Sequence, residues 1–419
     1  MLKINGILKV LTSEEIDERN LISLIPSENI MSPLATSAYF LRASSRYLLP
    51  IQINNESYMP GRTKLEELVY ILGSTLKRIY KAQNISYACL SGLHQMQQIM
   101  FALRSITGTC LVLAPSNCGH RSTSEIATSL GYNVDYLYLN KQFWDIDKNH
   151  LKKLVYKYKA HKVLIYLDHT VNIKPFDINE LLNLVPSKWI VFYDISHINL
   201  FVATGLIKLP NRRNFFYGGS THKTIPGPQK GVMIYPNNTK VIDLLETTLK
   251  NTVSSKHTGS LLSMLITFIE IESFGITYAK QIISNAQTLA KELSREINVI
   301  GPPPELTHTH QVLFPVKDVN LTTIMLAKAG IVTTPDQTPF SKDFGVRLGV
   351  QEITRLGMKE AEMKLVGSAI IYGLKNNTSQ SKLIVSNLVS KFNTVVYCHT
   401  ANFKNNEIAI NNPFDMITT

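Results

Sequence analysis

The sequence predicts an α/β protein with a large, mostly parallel sheet covered by helices, followed by a smaller C-terminal α/β domain. Apolar runs alternate with helical stretches along most of the chain, the pattern of a sheet whose crossover helices cover both faces. Two of these runs, Leu164-Ile165-Tyr166-Leu167 and Trp189-Ile190-Val191-Phe192-Tyr193, are apolar without alternation, as strands buried on both faces are. A chain of 419 residues with 44% hydrophobic content can also bury one large core and one smaller one.

Taken in order, residues from about Thr12 to Leu24 read as an N-terminal helical arm, with Ser13-Glu14-Glu15 as its cap and first turn. Lys64 to Lys81 reads as a helix, Thr109 to Ala114 as a strand and Ser122 to Leu130 as a helix. A long amphipathic helix from about Gly259 to Glu292 joins the two domains, Gly301-Pro302-Pro303-Pro304 marks a break, and Gln311 to Val316 restarts a strand. The Asn-rich stretch from Asn393 to Thr419 lacks helical periodicity and reads as a surface tail. The expected organisation is therefore an arm over 1–30, a large domain over 31–285, a small domain over 286–392 and a tail over 393–419. No internal repeat or low-complexity linker interrupts it.

Composition narrows the function classes. No apolar stretch in the sequence reaches membrane-spanning length, and Met1-Leu2-Lys3-Ile4-Asn5-Gly6 lacks a signal peptide's apolar region, so a cytoplasmic protein is expected. Cys89, Cys110, Cys118 and Cys398 have no metal-ligand spacing and read as reduced thiols, and no metal is expected. The net charge of +12 invites a nucleic-acid reading, but the lysines are scattered among Asn and Ile and form no long block. Steering of anionic small molecules is the reading preferred.

The chemistry begins at Thr221-His222-Lys223-Thr224-Ile225-Pro226-Gly227-Pro228-Gln229-Lys230-Gly231. A lysine amine that is desolvated or set beside other cations becomes a nucleophile able to form a Schiff base with an aldehyde such as pyridoxal phosphate. Upstream, the second apolar run delivers Asp194 at its carboxyl end, where a carboxylate can pair with a pyridinium nitrogen. Alone, each has an ordinary reading, a solvated loop lysine and a cap. Together they point to a cofactor site.

These residues carry a resemblance. Asp194-Ile195-Ser196-His197 followed by Gly218-Gly219-Ser220-Thr221-His222-Lys223-Thr224 resembles the serine hydroxymethyltransferase superfamily of fold-type-I pyridoxal-phosphate enzymes. Further matching pieces run in order from about Ser27 to Met358: Cys118-Gly119-His120, Ser273-Phe274-Gly275, Ile283-Ser284-Asn285-Ala286 and Arg347-Leu348-Gly349-Val350-Gln351-Glu352. The spelling from Thr221 to Gly231 is most similar to that of the L-threonine transaldolases.

The resemblance assigns roles. Lys223 would carry the cofactor and Asp194 would face its ring nitrogen. His120 would stack on the ring. Thr170 and His197 would lie near its phenolic oxygen, with His197 alternatively at the substrate carboxylate. Ser91-Gly92-Leu93, ahead of the helical run Gln95 to Leu103, would offer backbone N–H groups to the cofactor phosphate, as a helix N-terminus does. Thr221 and His222 would flank the anchor. Arg347, between Gly345 and Gly349, would grip an amino-acid carboxylate with its guanidinium fork. Arg355, in the same stretch, reads as a salt-bridge partner on the surface or between elements. Glu28, in Ser27-Glu28-Asn29, would move the proton of a substrate hydroxyl if burial raised its pKa, and otherwise reads as a helix-capping glutamate. Tyr47 would approach from a neighbouring subunit of a homodimer, with Tyr58 as a weaker alternative and a tetramer left open.

The reaction implied is cleavage and formation of the Cα–Cβ bond of β-hydroxy-α-amino acids, with threonine, serine or glycine and an aldehyde as partners. Ala329-Gly330-Ile331 leads into Thr333 to Phe340 with Asp336 near the place of the family's folate-seating asparagine, which argues against tetrahydrofolate. A threonine transaldolase is the reading preferred. A folate-dependent hydroxymethyltransferase is the alternative, and an aminotransferase or a basic nucleic-acid-binding protein on the same fold stands further off.

Overall fold

A computed structural model describes residues 4–48, 51–53, 56–142, 144–341 and 343–400, with the backbone alone for 51–53 and 56–58. The side chain of Tyr58 and the expected tail beyond 400 lie outside the described residues.

Seven strands form the main sheet: β1 (Ile85–Ser86), β2 (Thr109–Leu113), β3 (Asn133–Leu137), β4 (Val163–Leu167), β5 (Ile190–Asp194), β6 (Phe215–Ser220) and β7 (Gly231–Ile234). Their spatial order is β3-β2-β4-β5-β6-β7-β1. All pairings from β3 to β6 are parallel, and β7 runs antiparallel to both its neighbours. The apolar runs divide by residue parity between the two faces, because successive side chains of a strand point to opposite sides. Leu111, Leu113, Ile165, Leu167, Val191 and Tyr193 enter one core, while Cys110, Val112, Leu164, Tyr166, Ile190 and Phe192 enter the other. Doubly buried strands of this kind read as the unbroken apolar runs seen in the sequence.

A second, three-stranded antiparallel sheet places Phe344–Gly349 between Gln311–Pro315 and Thr334–Gln337. The helix Thr258–Leu293 runs past the expected domain boundary at 285 without interruption. Contrary to the expectation that no segment reaches membrane-spanning length, this helix is long and apolar enough to do so. Most of its apolar side chains are nonetheless core: Leu261, Met264, Phe268, Tyr278, Ile282 and Leu289 are buried, while Ile269 and Ile276 are exposed.

Two other expectations are corrected. The first helix is Ile4–Arg19, so Ser13-Glu14-Glu15 lies inside it and Leu24 well beyond it. Asn20 closes its last turn on the Ile16 carbonyl at 2.8 Å, and Ile22–Ser23 then leaves to pair in parallel with Ile331–Val332. No residue of this helix is buried within the chain. Residues 393–400 are not a loose surface tail. The Val396 N–H donates to the Arg355 carbonyl at 2.8 Å and the rings of Tyr397 and Tyr278 lie 5.2 Å apart. Arg355 itself pairs with Glu270 of the long helix at 3.0 Å, both side chains 1% exposed, which makes it a buried link between elements.

Candidate active site

The carboxyl ends of the central parallel strands open onto a cavity of about 290 Å³, where open parallel sheets bind ligands. Strand β5 ends in Asp194, whose Oδ2 accepts the Tyr166 hydroxyl at 3.1 Å and whose Oδ1 accepts the Ser196 N–H at 2.9 Å. Strand β6 delivers the lysine loop alongside. Its Gly219 is required, since a Cβ there would lie 2.5 Å from the Ser196 nitrogen. The Lys223 carbonyl accepts from the Asn29 amide at 2.7 Å, which ties this loop to the N-terminal segment. Burial brings the Lys223 amine down to about 8, against the pull of Asp194.

His197 is buried, with Nε2 3.4 Å from the Lys223 amine and Nδ1 3.0 Å from the Gln311 amide nitrogen. Burial, then the cations Lys223 and Arg347, hold its pKa well below the ordinary value. His120 is aimed by an unusual backbone: Cys118 has φ +75°, and a Cβ on Gly119 would meet the Leu113 carbonyl oxygen at 2.0 Å. The ring then caps the following helix through Nδ1, which accepts the Ser122 N–H at 3.3 Å.

At the far wall, Ser91 caps the helix Gly92–Leu103, its Oγ accepting the His94 N–H at 3.1 Å. The helix's first N–H groups thus face the cavity lined by Ser91, Gly92 and Leu93, a ready anion site. Four lining side chains, Asp168, His169, Ser220 and His222, each keep a buried polar atom without a partner among the described residues. A donor-and-acceptor-rich wall of this kind, beside a low-pKa amine, a strand-end carboxylate and a helix N-terminus, fits pyridoxal phosphate.

Of the residues singled out in the sequence, Lys223, Asp194, His120, His197, Thr170, His222, Ser91, Gly92 and Leu93 line this one cavity. Thr221 is buried beneath it and spends its hydroxyl on the Pro228 carbonyl at 2.6 Å, closing the loop. Arg347 stands behind Thr170, with Nη1 donating to the Thr170 carbonyl at 2.6 Å. Glu28 lines an adjoining depression that shares His222 with the cavity. Its carboxyl is held above the ordinary range by partial burial and by Glu18. Tyr47 is not brought in: it is 54% exposed on the single chain. Asp168, Ser196, Ser220 and Gln311 were missed. Asp168 stands two residues before a chosen residue, Thr170, while Gln311 carries no local signal.

The serine hydroxymethyltransferase family model matches residues 3–370. The chain belongs to the serine hydroxymethyltransferase family. Among curated family members, the enzyme named serine hydroxymethyltransferase of Sulfolobus acidocaldarius is 30% identical over 362 residues, covering 82% of each chain. That of Thermoplasma volcanium is 28% identical over 399 residues, covering 90% of this chain and 92% of its own. Among solved structures, the L-threonine transaldolase of Pseudomonas fluorescens superposes with a TM-score of 0.85 at 25% identity, covering 94% of this chain and 93% of its own. The fold is thus fold type I, and this family member is a pyridoxal-phosphate-dependent transferase of the hydroxymethyltransferase type.

Proposed function

We propose that this protein transfers a glycyl unit from L-threonine to an aldehyde, as a threonine transaldolase does. The observation that carries the reading is the engagement of Asp336, at the expected place of the folate-seating asparagine, in an ion pair with Arg347 at 3.2 Å. The likeness to a solved L-threonine transaldolase over most of both chains supports it. The second reading, a folate-dependent serine hydroxymethyltransferase, is favoured by the names of the sequence relatives.

Bound pyridoxal phosphate would supply the electron sink that holds the pair left on Cα when the Cα–Cβ bond breaks. Lys223 would anchor it and give way to the substrate amine, which an amine titrating at about 8 can do near neutral pH. Asp194, fixed by Tyr166 and Ser196, would hold a proton at the ring nitrogen. His120 would cover the ring face, Thr170 and His197 would flank its phenolic oxygen, and His222 with the Ser91–Leu93 helix start would hold the phosphate. Arg347 would bind the substrate carboxylate. Glu28 would take the β-hydroxyl proton as the aldehyde leaves, a task suited to its raised pKa.

A homodimer would complete the site. Ile4, Ile7, Val10 and Leu11 share one side of the first helix and are 44–66% exposed, and no residue of that helix is buried, so it has an apolar face for a second copy to cover. Tyr47, exposed on one chain, would then serve the partner's cavity. Product analysis of threonine with a panel of aldehydes, with and without tetrahydrofolate, tests the function. New β-hydroxy amino acids formed without folate are expected. Serine–glycine interconversion that requires folate, with no product from threonine and aldehyde, would select the second reading.

A further inference from the structure

Arg347 is a buried cation, 8% exposed. Its Nη1 has two partners, the Thr170 carbonyl at 2.6 Å and Asp336 Oδ2 at 3.2 Å, while its Nε is buried with none among the described residues. Asp336 is held in place by more than that pair. Strand pairing sets it opposite Gly345, two residues before Arg347, and its Oδ1 accepts the Gln337 N–H at 2.8 Å. Of the neighbouring titratable groups, Lys223, His197, His310 and His120 are bases pushed to lower pKa in part by Arg347, and Cys118 is a thiol that burial pushes well up. Asp336 is the one carboxylate ion-paired with this arginine among the described residues.

A guanidinium buried without a counter-ion costs several kcal/mol, and removing one member of a buried pair leaves that cost exposed. If the substrate carboxylate were the arginine's only anion, the site would carry an uncompensated charge whenever it was empty. We propose that Asp336 is a resident counter-ion that neutralises Arg347 in the ligand-free site, so that an incoming amino acid must compete with it for the guanidinium. The unfilled Nε is a spare donor that a carboxylate taking the place of Asp336 can use. Asp336 therefore loosens the grip on carboxylates and leaves amines without a carboxylate untouched. It is a positioning and specificity residue, and its role rests on the reading of Arg347 as the amino-acid carboxylate site.

The test titrates the cofactor-loaded protein with glycine and with 1-aminopropan-2-ol, which carries the amine of threonine without its carboxylate, following the cofactor's absorbance. In Asp336→Asn the dissociation constant for glycine should fall by about tenfold, the reach of one displaced charged partner. That for 1-aminopropan-2-ol should stay within about twofold. The ligand-free variant should also melt below the parent, and saturating glycine should restore most of the difference, since the ligand supplies the missing anion. A merely structural aspartate would give the loss of melting temperature without the gain in glycine affinity. Weaker glycine binding in the variant, or equal shifts for both ligands, overturns the proposal. If the variant is soluble only when purified in glycine and not in 1-aminopropan-2-ol, the proposal is supported, and insolubility in both overturns it. A parent protein that binds neither ligand sinks the amino-acid reading itself, and this inference with it.

Discussion

The amine of Lys223 lies 3.4 Å from Nε2 of His197, on the side of the ring opposite the one that meets Gln311. Gln311 holds Nδ1 from an amide nitrogen that also donates to the Thr170 carbonyl at 3.1 Å, so Nδ1 is the acceptor and the ring proton sits on Nε2. The neutral imidazole then donates to the lysine, which can accept only when its own proton is gone. Since the amine titrates at about 8, capture of pyridoxal phosphate by cofactor-free protein should quicken as pH rises through about 8 and level off above it. Stopped-flow absorbance across that range measures it, and borohydride reduction followed by peptide mapping should place the label on Lys223. A label on Lys230, a buried lysine also brought to about 8, would refute the assignment.

Asp194 and Arg347 should fail differently. Asp194→Asn cannot keep both acceptor bonds to Tyr166 and Ser196 and loses the charge, so the cofactor should still attach while carbon–carbon cleavage falls by about two orders of magnitude or more, equivalent to roughly 3 kcal/mol. Arg347→Ala should leave attachment intact and weaken glycine binding by about 2–5 kcal/mol. Absorbance titration alongside threonine turnover separates the two. Normal glycine affinity in Arg347→Ala would place the carboxylate elsewhere.

Asp168 gives a pH signature. Burial, and to a lesser degree Asp194, raise it to about 7 from 3.8, although the Thr123 hydroxyl donates to it. The folded chain therefore binds more protons than the unfolded chain between those values, and Asp168 costs stability progressively as pH rises from about 4 through about 7. Asp168→Asn should remove that slope, melting above the parent at about pH 8 and not at about pH 4. Parallel melting curves for the two proteins across this range would contradict the assignment.

The buried pair Glu270–Arg355 should be a structural weak point. Glu270→Ala leaves Arg355 buried and unpaired, at a cost of about 3–5 kcal/mol, and should free residues 393–400, where the His399 N–H bonds Glu270 and Val396 bonds the Arg355 backbone. Denaturant unfolding and faster hydrogen exchange over 393–400 are the readouts. Exchange confined to its original pattern would show the segment is held by Tyr397 and its apolar contacts instead.

If the first helix docks on a second copy, Val10→Glu with Leu11→Glu should dissociate the protein without unfolding it, since neither side chain is buried in the chain. Sedimentation and circular dichroism together check this, and an unchanged sedimentation coefficient would count against the dimer.

What the sequence revealed followed from local signals. Leu164–Leu167 and Trp189–Tyr193 are strands because an unbroken apolar run has nowhere else to go, Asp194 was found because it ends such a run, and Lys223 because of its Thr-His-Lys-Thr setting. The long helix was placed to within a residue at each end, since its periodicity is strong. What escaped is non-local. The first helix has an apolar pattern but no core of its own, so its limits could not be read from a cap. Residues 393–400 carry no periodicity because backbone hydrogen bonds and one ring hold them. Asp336 on Arg347 is a product of strand register, and Gln311 on His197 joins residues 114 apart.

The loop that carries Lys223 is laced to both ends of the protein. Asn29 bonds its carbonyl and the Tyr278 hydroxyl, which donates to the Gln351 carbonyl at 2.8 Å, and the Gln351 amide returns to the carbonyls of Ile25 and Glu28. During synthesis these partners leave the ribosome hundreds of residues apart. The anchor is therefore among the last features to set, and cofactor loading must await emergence of the chain past residue 351, so ribosome-bound chains stalled short of that point should take up no cofactor.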